Sequence, residues 1–280
     1  MRATGLGALV LTEGALVEGA GRVSVWRGEA WFESWDVATR LGDESSQRDM
    51  PAVPRLGPHA VPLDGVRVDR LHDRRVADDV VDGLAVLTGE WLTRGVRAGV
   101  PRLRVVSQDD RLEALSERWG CTLGEGPDDV PCPEPDGGWP GLRPDEDLDV
   151  PDGLHTAPGV TRLRLARPAP GLGVLVVESY DPAATRAHLD RLVATGALAA
   201  GAFCVRPVRR SGTGADRAFE ELRPRMDALQ VTLLGGGVDA DGTPVLHAHV
   251  ARVLPELADW ADRLPADLLH VEPWLRPVGS

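Results

Sequence analysis

Lysine, isoleucine and asparagine are absent from this chain of 280 residues, so all 31 of its basic side chains are arginine. The codons for these three residues are rich in A and T, and their absence is typical of a bacterial genome of high GC content. Without lysine, the chain has no ammonium group to form a Schiff base with pyridoxal phosphate or to serve a Walker-A phosphate loop. Both of those enzyme classes are therefore excluded.

Cysteine is also scarce, and Cys121, Cys132 and Cys204 form no C-x-x-C pair. The sequence therefore predicts neither a zinc finger nor a disulfide framework, and it favours the reducing cytoplasm. Cys121 and Cys204 have apolar neighbours and are expected to be small buried side chains. Cys132 lies among prolines, where an exposed and inert thiol is expected.

Long apolar runs are missing as well, because no stretch of eighteen or more residues is apolar throughout. Glu13 and Glu18 interrupt the apolar start of the chain, so we expect neither a transmembrane helix nor a signal peptide. The formal net charge is −12. A broad nucleic-acid-binding surface is not expected at that charge, whereas a basic protein partner remains possible.

Proline and acidic residues concentrate in residues 124–159, which hold ten acidic side chains and a single basic one, Arg143. Proline restricts the backbone and like charges repel, so this segment is predicted to be an extended, solvated linker. The predicted organisation is an N-terminal lobe over residues 1–123, this acidic linker, and a C-terminal lobe over residues 160–280.

Both lobes mix strand and helix patterns, which predicts an α/β or α+β class with two mixed sheets and flanking helices. Strands are predicted at 22–26, 30–37, 61–68, 103–106, 121–123, 161–165, 173–180, 202–208, 229–234, 243–253 and 268–271. Helices are predicted over 76–98, 111–119, 183–194, 215–223 and 255–264. The first two strands flank Arg27-Gly28-Glu29, which has the spacing of a hairpin turn. Asp181-Pro182 is a helix start signal.

Two segments, together about sixty residues, resemble the GNAT acyltransferase superfamily. Residues 89–125 follow its helix–strand–helix order, with Gly120-Cys121 standing where the family usually has Gly-Phe. Residues 203–214 look like the family's strand followed by Arg-x-x-Gly-x-Gly, which places Arg209, Gly212 and Gly214 at the matching positions. The resemblance implies a GNAT-like, tandem or degenerate fold that binds acetyl-CoA.

The chemistry implied by this resemblance is N-acyl transfer from acetyl-CoA to a small-molecule or protein amine. Arg209 and the backbone N–H groups near Gly212 and Gly214 would hold the pyrophosphate. The amine would attack the thioester directly, without a covalent enzyme intermediate. Glu178, His247 or His249 would accept the proton of the amine.

Two alternatives of other classes remain open. The first is a non-catalytic binding, regulatory or immunity-type protein whose acidic surface recognises a basic partner. The second is a metal enzyme around His247 and His249, which alternate on a predicted strand and so point to one face, with Asp241 as a possible third ligand. No metal ligand is assigned from the sequence.

If the turn after Arg209 holds pyrophosphate, a Gly214→Val substitution should abolish acetyl-CoA binding in calorimetry, because a side chain there would block close backbone approach. Arg209→Ala should weaken binding by removing positive charge without altering the glycines. Unchanged binding in both variants, with melting temperatures within a few degrees of the parent, would contradict the pyrophosphate hypothesis.

Overall fold

The computed structural model describes residues 5–34, 56–94, 100–109, 130–139, 153–169, 171–239 and 241–279. Within these ranges the chain forms thirteen strands and three α-helices, so the predicted mixed class is confirmed. A GNAT-like fold stays a prediction. None of the helices in the described ranges combines the length and apolarity needed to cross a membrane.

The strands follow one another along the chain as β1 Leu16–Trp26, β2 Glu29–Ser34, β3 Val61–Asp64, β4 His72–Ala77, β5 Val80–Leu92, β6 Arg102–Asp109, β7 Val160–Ala166, β8 Val174–Ser179, β9 Phe203–Pro207, β10 Val231–Val238, β11 Pro244–Val250, β12 Leu269–Pro273 and β13 Leu275–Pro277. The helices are α1 Pro182–Ala194, α2 Thr213–Leu222 and α3 Pro255–Ala261. Short 3-10 turns occupy Leu6–Leu9, Val68–Arg70, Leu154–Thr156 and Arg223–Arg225.

The chain divides into two compact units, and neither is a continuous stretch of sequence. Unit 1 comprises Met1–Cys121, Glu220–Gly235 and His247–Ser280, and unit 2 comprises Thr122–Phe219 and Gly236–Leu246. The predicted lobes, 1–123 and 160–280, differ from this division because the C-terminal segment belongs to unit 1. Its last strand, β13, pairs with β1, a contact between distant residues that local sequence patterns do not reveal.

Unit 1 is built on a closed five-stranded barrel. The strand order is β1-β2-β3-β6-β5, and β5 pairs with β1 to close the ring. Only β3 and β6 run parallel, and the other neighbours in the ring are antiparallel. The interior is apolar and includes Val17, Val23, Phe32, Leu87, Trp91 and Leu103.

The predicted hairpin at the start of the barrel is confirmed. Strands β1 and β2 pair from Gly21–Ser34 to Trp26–Glu29, and Arg27 and Gly28 between them have φ values of 53° and 80°. Positive φ at both central residues is the signature of the tight turns whose twist matches antiparallel strands.

The helix predicted over residues 76–98 is wrong. Strand β5 covers most of that range, and Ala85, Leu87 and Trp91 alternate into the barrel. The apolar residues satisfy helical spacing and strand alternation at once, which is the ambiguity that misled the prediction. The valines favour a strand, and Gly83 and Gly89 disfavour a helix interior. The helix predicted over 111–119 and Gly120-Cys121 lie outside the described residues.

Unit 2 contains a three-stranded sheet of order β7-β8-β9. Helix α1 connects β8 to its parallel neighbour β9, as a crossover of a parallel pair requires. The predicted start of α1 is confirmed, because the Asp181 side chain accepts a hydrogen bond from the Ala184 N–H and Pro182 opens the helix. The predicted helix 215–223 and the strands near 161–165, 173–180 and 202–208 are also found within two residues of their predicted bounds.

A further sheet has the order β10-β11-β12. Strands β10 and β11 form a hairpin whose tip closes through hydrogen bonds between Asp239 and Thr243. This confirms the turn predicted from Asp239-Ala-Asp-Gly. The tip belongs to unit 2, while α3 and β12 belong to unit 1.

The described parts of the predicted linker, residues 130–139 and 153–159, belong to unit 2 and contribute apolar side chains to its core, while many of their other residues are exposed. Val130, Cys132 and Trp139 contact one face of the β7-β8-β9 sheet, and Leu154 is fully buried against the other face. Apolar side chains between the prolines make this packing possible. The linker prediction missed them because it rested on the high proline and acidic content of the segment.

The sequence-based expectation for Cys132 is wrong, whereas Cys204 is buried as expected and Cys121 lies outside the described residues. Cys132 and Cys204 form a disulfide with a Cα–Cα distance of 5.9 Å across 72 residues of sequence. Cys132 is therefore not an inert thiol, and the predicted absence of disulfides fails because the pairing depends on the tertiary fold. Disulfides persist mainly in oxidising compartments, so the cytoplasmic location stays a prediction.

Closure of the barrel should depend on glycine in β1. A Cβ on Gly21 would collide with the backbone carbonyl of Glu33 and approach the Phe32 ring to 3.0 Å. We expect Gly21→Ala to lower the free energy of unfolding by about 1–3 kcal/mol, measured by urea denaturation. Gly236→Ala in β10 is the matched control, because a Cβ there meets no atom within 4 Å. An equal effect of both substitutions would contradict this account.

Candidate functional site

Glu178 is the most buried of the predicted site residues, with 1% of its surface exposed. It lies on β8, the central strand of its sheet, directly opposite Arg162 on β7 and Arg206 on β9. Strand alternation places Val174 and Val176 on the same face. Glu178 therefore lies between two arginines on the neighbouring strands, at the edge of an apolar patch on that face of the sheet.

Arginines compensate the buried charge of Glu178 from both neighbouring strands. The Oε1 atom lies 3.6 Å from a guanidinium nitrogen of Arg206 and 3.9 Å from Nε of Arg164. The other oxygen, Oε2, is buried and accepts no hydrogen bond from any described residue. Burial raises the pKa of Glu178, and the positive charges of Arg162, Arg206 and Arg164 only partly oppose that rise.

The tip of the β10–β11 hairpin covers this carboxylate. Gly242 has a φ of 77°, and a Cβ on it would lie no more than 3.0 Å from all three carboxyl atoms of Glu178. Only glycine therefore fits the close approach of backbone and carboxylate at this position. A substrate amine would have to displace the tip to reach Glu178, so its role as a general base stays a prediction.

The same hairpin tip engages Arg209. Its guanidinium pairs with Asp239 and lies 3.9 Å from a carboxylate oxygen of Asp241, and its backbone N–H donates to Thr243 Oγ1. Burial alone would raise the pKa of Asp239, but hydrogen bonds from Thr243, Arg209 and Asp241 outweigh it and lower that pKa. Glu178 and Arg209 are thus brought together around one turn.

Gly212 and Gly214 do not have the backbone that a glycine-specific phosphate loop would require. Neither falls in the left-handed φ region, and Gly214 already lies within α2. The nearest group to a Cβ on Gly212 is the Asp216 carboxylate, at 3.8 Å. Three aspartates, Asp216, Asp239 and Asp241, therefore place negative charge around the same turn as Arg209. Binding of acetyl-CoA by Arg209, Gly212 and Gly214 stays a prediction.

His247 and His249 lie on β11 in unit 1 and meet two side chains of β12 that the sequence analysis missed. The ring centroids of His247 and His270 are 5.1 Å apart, and Nε2 of His249 lies 3.6 Å from Glu272 Oε2. Burial lowers the pKa of His247, while the nearby Glu272 charge opposes that change. The i, i+2 spacing of His270 and Glu272 was a sequence signal that could have revealed this group.

Asp241, the third metal ligand considered from the sequence, is occupied by Arg209 in unit 2. Within the part of the chain that the structure describes, no three histidine, cysteine or acidic side chains are gathered at ligating distance. His247 and His249 therefore each contact one side chain of β12, but these described residues do not form a preassembled metal site.

A second buried carboxylate group on the barrel was not predicted at all. Arg22 on β1 pairs with Asp82 on β5, and Glu33 on β2 accepts a hydrogen bond from the Gly57 N–H. Burial raises the pKa of Glu33, the Gly57 N–H and Arg22 oppose that rise, and the Asp82 charge adds to it. Asp82 Oδ1 is buried and has no hydrogen-bond partner within the described ranges. The residues are far apart in sequence, and no local motif connects them.

Comparison of the chain with protein-family models, with curated proteins and with solved structures finds no match.

The buried carboxylate of Glu178 should make the free energy of unfolding depend on pH. Because its pKa is raised in the folded state, folding favours the protonated form, and stability from this group falls as pH rises above the unfolded value. Glu178→Gln should therefore make stability less dependent on pH. Urea unfolding between about pH 4 and pH 8 measures this dependence.

Glu134→Gln is the matched control for this experiment, because Glu134 is an exposed carboxylate of the same unit. It should leave the dependence of stability on pH close to that of the parent. A Glu178→Gln variant whose stability changes with pH as steeply as that of the parent would contradict the role assigned to burial.

Proposed function

We propose that this chain is a non-catalytic binding or regulatory protein that recognises a basic partner. Support comes from one feature of unit 1, an acidic ridge formed by Glu256 and Asp259 on the outer face of α3 and by Asp262, which caps the C-terminal end of that helix. These residues are all exposed, and none of them makes an ion pair with another described residue. Together with the formal net charge of −12, they give the chain a fixed cluster of negative charge.

The α3 ridge is held rigidly because the opposite face of the helix is buried. Leu257 is fully buried, and Ala258, Trp260 and Ala261 are almost so. The indole N–H of Trp260 also donates to Glu221, which places a fourth carboxylate beside the helix. A spacing of three residues puts the three carboxylates on one side of the helix. Rigid presentation reduces the entropy lost when a partner orders the surface.

The acyltransferase hypothesis has less support from the described geometry. Glu178 is covered by the hairpin tip, and Arg209 is paired with Asp239. Both residues would need to leave these partners before they could act on an amine or a pyrophosphate. The α3 ridge needs no rearrangement to contact a partner.

Electrostatic complementarity raises association rates and selects partners more than it raises affinity, and it weakens as salt screens exposed charge. The expected partner is therefore a protein or peptide with a cluster of arginines or lysines. Its binding should be strong at low ionic strength and should weaken as salt is added.

A triple variant, Glu256→Gln, Asp259→Asn and Asp262→Asn, tests the α3 ridge. We expect it to bind a short arginine-rich peptide roughly tenfold more weakly than the parent at low salt, because three exposed charge contacts are lost. Its binding should also change less with salt concentration. Fluorescence anisotropy of the labelled peptide at several salt concentrations measures both effects.

The matched control removes three exposed carboxylates from other positions of unit 1, through Glu29→Gln, Asp78→Asn and Asp79→Asn. It has the same net charge as the first variant, so a difference between the two reports the location of the charge. Equal loss in both variants would show that only overall charge matters and would contradict the proposal. Saturable binding of acetyl-CoA by the parent would instead favour the acyltransferase.

A further inference from the structure

We propose that the disulfide between Cys132 and Cys204 is a redox switch within unit 2. Its reduction by a dithiol releases residues 130–139 and uncovers an apolar face of the β7-β8-β9 sheet. The switch is independent of the α3 ridge, which belongs to unit 1.

The 130–139 segment covers an apolar face on one side of this sheet. That face consists of four side chains with at most 2% of their surface exposed, Ala166, Val174, Val176 and Cys204. Val130, Cys132 and Trp139 of the segment pack against it. When the segment leaves, these side chains meet water, and the cost scales with the apolar area exposed.

Backbone hydrogen bonds do not hold the segment against the sheet. It contains no helix or strand, and three of its ten residues are prolines, which have no N–H to donate. The Gly138 N–H donates to the Pro135 carbonyl inside the segment, and no backbone–backbone hydrogen bond joins the segment to β7, β8 or β9 among the described residues. The disulfide is therefore the strongest attachment between the segment and the sheet.

The sheet, by contrast, is held together by contacts that do not involve the segment. Strand β8 pairs with β7 on one side and with β9 on the other. On the opposite face of the sheet, Leu175 and Val177 of β8 pack in a separate apolar core with Leu189 of α1. The segment can therefore leave as a local opening while the sheet stays folded.

The two cysteines differ in their access to a reductant. Cys132 is partly exposed, whereas Cys204 is 2% exposed. A thiolate of the dithiol therefore attacks Sγ of Cys132, which forms a mixed disulfide and releases the sulfur of Cys204 as a thiolate. The second thiol of the reductant then attacks the mixed disulfide and releases Cys132. The protein gains two electrons and two protons, and the reductant leaves as a disulfide.

The uncovered face lies next to Glu178. In the register of β8 and β9, Cys204 is opposite Val176 and Arg206 is opposite Glu178, and strand alternation places all four on one face. The reduced chain therefore presents an apolar surface with a buried carboxylate at its edge, and the oxidised chain keeps that surface covered.

The test compares the oxidised full chain with the chain reduced by dithiothreitol without denaturant. Peptide mass spectrometry follows alkylation of Cys204 by a maleimide and separates it from Cys121 and Cys132. We expect Cys204 of the reduced chain to react within about tenfold of its rate in the urea-unfolded chain, while the amides of β8 stay protected from hydrogen exchange. Binding of an apolar dye should rise on reduction and fall again on reoxidation.

Cys132→Ser removes the disulfide without a reductant. Its Cys204 should react as fast as in the reduced parent, and its dye binding should no longer respond to dithiothreitol. Cys121→Ser keeps both cysteines of the disulfide, so it is the matched control and should respond like the parent. The reduced parent needs no substitution, so it still tests the switch if a variant fails to fold.

Three outcomes would overturn the proposal. The first is a disulfide that dithiothreitol reduces only in urea. The second is a reduced Cys204 that reacts about a thousandfold or more slowly than in the unfolded chain, because the segment would then stay in place without the bond. The third is loss of protection in β8 on reduction, because the sheet itself would then have opened.

Discussion

The antiparallel pairing of β1 with β5 is the interaction on which unit 1 depends. It runs through eleven residue pairs, from Leu16–Glu90 to Trp26–Val80, and turns an open sheet into a barrel. Closure removes the free edges of both strands and encloses a single apolar interior. Glycines at tight points of the ring, such as Gly21 and Gly89, give the strands room to approach. Strand β13 then pairs with β1, which ties the end of the chain to its beginning.

In both units, buried carboxylates are paired with arginine side chains. Glu178 lies between arginines of two neighbouring strands, and Asp82 is paired with Arg22. A guanidinium is planar and weakly hydrated, so it accompanies a buried carboxylate at lower cost than an ammonium would. In a chain without lysine, this is the only permanent cation available. The buried glutamates nevertheless keep raised pKa values, because burial outweighs the compensation.

Glu178 and Arg209 have side chains that could take part in catalysis, but the structure uses both to hold the fold together. Glu178 and Arg209 hold the hairpin tip against the β7-β8-β9 sheet through Gly242 and Asp239. By contrast, the three carboxylates of the α3 ridge are exposed. The Glu178 carboxylate and the Arg209 guanidinium therefore serve the fold of unit 2, whereas the carboxylates of the α3 ridge make no ion pair with another described residue.

The sequence by itself determined the mixed α/β class, the Arg27-Gly28 turn, the capped start of α1 and most elements after residue 160, because each depends on neighbouring residues. The helix predicted from the sequence over residues 76–98 is strand β5, because the spacing of its apolar residues suits a helix as well as a strand. Only the tertiary structure decided the Cys132–Cys204 pairing, the return of the C-terminal segment to unit 1, and the partners of Glu178 and His247. Those features join residues far apart in the chain through strand pairing, ion pairs and a covalent bond, and no local pattern encodes which distant residues meet.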